Sequence, residues 1–122
     1  MIIIPLEQLC NANNQLRGLI SDTVGIKVAE FDADLVVDPP YVCWQIIHAE
    51  GQHYLSDESD MDEALVQIDV YSKSKAENRQ IAKLLRSAIS EHCYVENFTG
   101  NERDSSNLWR IRLDTRWFED YE

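Results

Sequence analysis

Residues 108–118 read LWRIRLDTRWF, and no other run in the chain restricts its folding so tightly. Trp109, Ile111, Leu113 and Trp117 alternate with Arg110, Arg112, Asp114 and Arg116. Successive side chains of a strand point to opposite faces of its sheet, so this run predicts a strand with one dry face and one wet face. A strand of that kind belongs to a sheet packed on one side and solvated on the other, which is the usual condition of antiparallel sheets.

The rest of the sequence supplies partners for it. Leu6, Leu9, Cys10, Asn13, Leu16 and Ile20 recur at three- and four-residue spacing, so residues 5–20 are expected to form one amphipathic helix beginning at Pro5. Residues 25–31 alternate as a short strand, with Ile26, Val28 and Glu30 on one face. Pro39 and Pro40 lack the N–H that a ladder needs and so delimit the next strand, residues 41–48, whose aromatic and β-branched residues suit a central place. Residues 64–71 give another strand, with Val66, Ile68 and Val70 inward, and the polar stretch 49–63 between the two is read as a long acidic hairpin loop. Ser74 and Glu77 fit the S-x-x-E capping box, followed by a helix with Ile81, Leu84, Leu85, Ala88 and Ile89 as its apolar stripe and Arg79, Lys83 and Arg86 elsewhere on its surface. A strand over 93–98 and a polar loop over 99–107 lead to the final strand. The expected fold is therefore α+β: a mostly antiparallel β-sheet with two α-helices packed on one face, in the order α-β-β-β-α-β-β. A chain of 122 residues is expected to make a single domain, 1–122, with its own core. No stretch approaches the run of about 20 apolar residues that a membrane span requires, and the opening MIII, closed by Pro5 and without a basic leader, is not expected to be a signal peptide.

Charge is unevenly spread. The formal net charge is −11, and between Val28 and Ser72 there are eleven acidic residues and no lysine or arginine. The remainder of the chain carries the other 11 acids against all 11 basic residues, so the whole imbalance arises in that one segment. Such a field opposes ordinary duplex DNA binding, which relies on lysine and arginine to neutralise phosphates. It suits repulsion of DNA, a basic partner, or solubility.

Candidate chemistry is sparse. Cys10, Cys43 and Cys93 are odd in number, widely spaced and set in apolar surroundings, which points to buried reduced thiols and a cytosolic origin. His48 and His53 near Asp57 lack the paired short spacings that zinc takes, and Asp60, Asp62 and Glu63 lack the glycine and terminal glutamate of a calcium loop. Phosphate loops, nucleophile elbows, C-x-x-C and H-E-x-x-H pairs are all missing, so no catalytic residue, metal or cofactor is expected and the chain is not expected to be an enzyme.

The order and spacing of PPYVCWQII at 39–47, DMDEALVQIDVYSKSKAENRQIAKLLRSAI at 60–89, HCYVE at 92–96 and LWRIRLDTRWF at 108–118 resemble the phage tail-completion proteins, also described as tail terminator or tail-to-head joining proteins. The likeness extends over nearly the whole chain. It implies a structural protein, a homo-oligomer that forms a ring, commonly a hexamer, on the end of a finished tail tube. There it stops tube growth and joins the tail to a head-side connector or stopper protein. The implied location is the virion tail or neck, with assembly in the host cytoplasm; DNA passes through the lumen without specific binding. On that reading Asp57, Glu58, Asp60, Asp62 and Glu63 form a loop facing the tube protein or the lumen, and Arg110, Arg112 and Arg116 contribute to contacts between subunits. A solvated strand face is the plain alternative for the arginines. The competing functional classes are an acidic DNA-mimic inhibitor of a nucleic-acid-interacting protein, and a metal-dependent hydrolase built on the Asp60 cluster, for which the spacing gives no support.

Overall fold

The computed structural model describes residues 4–31, 38–51 and 61–120. Its elements run α1 (Leu6–Ala12), α2 (Asn14–Ile20), β1 (Val28–Glu30), β2 (Tyr41–Gly51), β3 (Met61–Ser72), α3 (Lys75–Ile89), β4 (Cys93–Phe98), β5 (Glu102–Arg103) and β6 (Trp109–Asp120). The strands form one sheet in the order β1-β2-β3-β6-β4, with β5 also paired to β6. Among the described residues only β1 runs parallel to its neighbour, and every other strand pairing is antiparallel. The fold is α+β, with the helices on one sheet face as the apolar periodicities require.

The single helix expected over residues 5–20 is two helices. Asn13 takes an extended conformation between them, and its Oδ1 accepts the Leu16 N–H at 3.0 Å. An asparagine oxygen in this place satisfies a donor that a continuous helix would have given to the backbone, which is why asparagine favours N-caps over helix interiors. The apolar spacing survives the break: Leu6, Cys10, Leu16 and Ile20 are all fully buried.

The core lies between these helices, α3 and the inner sheet face. Ala64, Val66, Ile68 and Val70 of β3 face inward, opposite Trp117, Thr115, Leu113 and Ile111 of β6. The smallest residue of the β3 set stands across from the largest of the β6 set, so the two strands fill the layer under α3 without crowding. From α3, Ile81, Leu85 and Ile89 close the core.

Two strands are longer than the sequence suggested. The β2–β3 hairpin stays paired to Gly51 and Asp62, leaving residues 52–60 as its connection, so Asp62 and Glu63 stand on β3 and not in the loop. A carboxylate at position 63 is tolerated there because Arg116 of β6 is bonded to it. Within the polar stretch 99–107, β5 adds a short pairing to β6.

The α3 cap is also built differently from the expected box. Ser74 Oγ accepts the Glu77 N–H at 3.2 Å, as predicted, but the Glu77 carboxylate does not return to the Ser74 N–H. Ser72, fully buried, stands between them: its hydroxyl donates to Glu77 Oε1 at 2.6 Å and its oxygen accepts the Ser74 N–H at 3.1 Å. The last residue of β3 thereby joins the strand to the helix start.

Candidate functional site: the outer face of the sheet

Away from the helices the sheet presents a face of charged and aromatic side chains, and the arginines read from the final strand all lie on it. Residues 110, 112, 114 and 116 are half-buried and alternate with buried inward residues, as the period of two requires. Because β6 sits between β3 and β4, its arginines can bond to side chains of either neighbour, and Arg116 bonds to a carboxylate from each.

Arg112 Nε donates to Asp69 Oδ1 at 2.9 Å, and Asp69 is only 8% exposed. Gln67, with its amide oxygen turned toward the same guanidinium, accepts from Arg112 Nη2 at 3.2 Å. The hydrogen bond to Asp69 is the main reason the Arg112 guanidinium is held charged even more firmly than usual. Arg116 is clamped between Glu96, bonded at 3.0 Å to Nε and 3.4 Å to Nη2, and Glu63, bonded to Nη1. Arg110 bonds the Tyr71 hydroxyl, and Tyr71 stacks on Tyr41 with ring centroids 5.0 Å apart. Burial, with Asp69 and Cys43 adding to it, pushes the Tyr71 hydroxyl up to about 12 against the opposing pull of Arg110. Burial likewise pushes the neighbouring Cys43 thiol up to about 12, with Asp69 adding to the shift.

Toward the hairpin end the same face becomes apolar. Ile47, displaced by a bulge between Ile46 and His48, is 56% exposed, and Tyr94 is 67% exposed with its ring edge-on to Phe118 at 5.8 Å. A shallow depression of about 430 Å³ opens beside Ile47, lined also by Leu65, Gln67, Glu96 and Asp114. A mixed surface of aromatics and clamped ion pairs is suited to covering by another protein surface.

Of the residues singled out in the sequence, Arg110, Arg112 and Arg116 share this face, and Arg116 meets Glu63 on it. Asp57, Glu58, Asp60 and His53 lie outside the described residues. Sequence reasoning missed Asp69 and Glu96 as the arginines' partners, since the strand order that places β6 between them is a long-range property. Cys10, Cys43 and Cys93 are unpaired thiols, the first two buried and the third half-buried. Among the described residues no cluster of histidine, cysteine or carboxylate side chains could hold a metal ion, and no helix is long and apolar enough to cross a membrane.

The described residues thus present an outer sheet face of bonded ion pairs and aromatic side chains. Over residues 6–120 the chain matches the family described as Tail completion protein gp17, and it belongs to that family. It is a structural phage tail protein. Its fold is similar to that of a chain solved in the virion of a native gene transfer agent particle, with a TM-score of 0.65 and 16% identity, covering 95% of this chain and 92% of that one. No curated protein sequence matches the chain.

Proposed function

We propose that the chain is a one-domain subunit that closes the end of a tail tube as an oligomeric ring, stops its growth and joins it to the head-side connector. The observation that carries this reading is the family match over residues 6–120. A closed ring leaves no unpaired face for another tube subunit, which makes arrest a geometric event requiring no chemistry. The net charge of −11 fits a particle through which DNA slides without adhering.

In this reading the acidic hairpin end, with Asp57, Glu58, Asp60, Asp62 and Glu63, is the contacting or lumen-facing end of the subunit. The outer sheet face with Arg110, Arg112 and Arg116 takes part in contacts between subunits. Arginine reversal is a poor test of that face, because Arg112→Glu would set a second carboxylate against the nearly buried Asp69 and unfold the sheet locally. Tyr94→Arg is better, since the side chain is 67% exposed and its replacement leaves the core untouched. It should lower cap occupancy severalfold; full occupancy would remove the face from the interface.

The decisive measurement of the function is negative-stain imaging of the purified protein mixed with tail tubes from its own gene cluster. Discrete caps on one tube end with arrested length support the proposal, and bare tubes that keep growing refute it. The DNA-mimic alternative gains nothing from the outer face, where Asp69, Glu63 and Glu96 are each engaged by an arginine instead of being displayed as a row of free negative charges.

A further inference from the structure

On the helix side of the sheet, α3 and the end of β4 enclose a groove of about 410 Å³. Its floor is apolar: Ala82, Phe98, Ile111 and Leu113. Along its rim stand Arg79, Lys83 and Arg86, all exposed, at the i, i+4, i+7 spacing that sets three side chains on one helix face. Arg86 lies over the Phe98 ring, 5.6 Å from its centroid. Among the described residues no carboxylate lines the groove. Its far end is fixed by Asn101, whose Nδ2 donates to the Lys75 carbonyl at 2.7 Å and whose Oδ1 accepts from Asn78. Three cations around an apolar floor, in a chain of net charge −11, fit a ligand with complementary features: a short segment carrying both large apolar side chains and several carboxylates.

The chain carries such a segment between β2 and β3. Residues 52–60 read QHYLSDESD, with Tyr54 and Leu55 followed by Asp57, Glu58 and Asp60, in a stretch that has no cation from Val28 to Ser72. It cannot reach the groove of its own chain. Leu113 on the groove floor pairs with Ile68, while the hairpin connection leaves the sheet beyond Gly51 and before Met61. Ile68 lies seven residue steps along β3 from Met61, about 24 Å at about 3.4 Å per residue. A nine-residue connection that must return to its start projects at most about 16 Å, and the groove also lies on the far side of β6 from the hairpin.

We infer that the groove between α3 and β4 receives the acidic hairpin segment of a second copy of the chain. The two surfaces are different patches of the same subunit, so the contact is heterologous and directional, and repetition with a closing rotation generates a ring. The inference rests on the ring reading for its setting, and it names the partner of the acidic hairpin end in that ring.

The test uses a synthetic peptide of residues 52–62, QHYLSDESDMD, titrated into the full-length ¹⁵N-labelled protein. Chemical shifts should move at backbone amides of residues 79–86 and 98–101. The affinity should fall at least tenfold in the Arg79→Glu, Lys83→Glu, Arg86→Glu variant. A peptide with Asp57→Lys, Glu58→Lys and Asp60→Lys should leave the wild-type groove undisturbed, which keeps the test decisive even if the variant protein is poorly folded. Absent shifts at millimolar peptide, equal binding by the reversed peptide, or groove shifts with duplex DNA but not with peptide would each overturn the inference. The same variant tested on tubes separates this inference from the function above. Wild-type caps with equally good caps from the groove variant would refute the groove contact and leave capping intact; peptide binding to the groove without wild-type caps would do the reverse.

Discussion

Thr115 offers a quantitative test of how the sheet is held. It is 1% exposed, and its hydroxyl donates to the Val66 carbonyl at 2.8 Å while accepting the Trp117 indole N–H, also at 2.8 Å. Thr115→Val keeps the shape and the β-branching but strands both partners in the core. Each orphaned buried group costs about 1–3 kcal/mol. The added methyl returns about 0.8 kcal/mol through burial, leaving a net loss of about 3 kcal/mol. Thr115→Ser keeps both hydrogen bonds and forfeits one methyl, a loss of about 1 kcal/mol. The isosteric change should therefore be the worse of the two by about 2 kcal/mol, against a total stability of about 6–18 kcal/mol for a chain this long. Urea unfolding followed by far-ultraviolet circular dichroism reads the difference without depending on the Trp117 environment. With a slope near 2 kcal/mol per molar, the Val midpoint should lie about 1 M below the Ser midpoint. A Val variant as stable as the Ser variant would refute the account, because it would mean that the Thr115 hydroxyl satisfies nothing that matters.

Ser74→Ala should cost about 1 kcal/mol in the same assay by removing the acceptor for the Glu77 N–H. Asn107 holds a φ of 68°, so Asn107→Val should lower the midpoint measurably and Asn107→Gly should leave it nearly unchanged. Raising the pH should destabilise the fold between about 9 and 12. Burial pushes Cys10 and Cys43 from 9.0 up to about 12 and Cys93 up to about 11, so above pH 9 the unfolded chain releases protons that the folded chain retains. A flat stability profile across that window, measured by thermal unfolding at fixed ionic strength, would contradict the sign of those shifts.

What the sequence disclosed followed from periodicity and local chemistry. The strand over 108–118 and the α3 stripe were readable because each repeats its signal several times, and the serine at position 74 was readable because a cap acts within one turn. The break at Asn13 was hidden, since the apolar spacing continues across it and only a side-chain oxygen turns the backbone. The extension of β2 and β3 into acidic sequence was hidden because Glu63 depends on Arg116, 53 positions away in the chain. For the same reason the basic groove could not be seen: α3 supplies its cations, and β4 and β6 supply its floor. The helix spacing of 79, 83 and 86 was the one local sign of it.

The strand order has a consequence for how the protein is made. β3 and β4 are not neighbours; β6 lies between them, although it is synthesised after both. Until residues 109–120 leave the ribosome, β3 has a single partner and β4 has none, and α3 has only part of the surface it will cover. Hairpin β2–β3 and helix α3 can form early because their contacts are local, whereas the sheet must wait for a distant strand to be inserted in its middle. A nascent chain halted before residue 108 would thus display open edges on both strands, a state that chaperones and proteases recognise. Insertion of β6 is therefore the step on which the sheet waits: β3 and β4 are joined only once residues 109–120 are available.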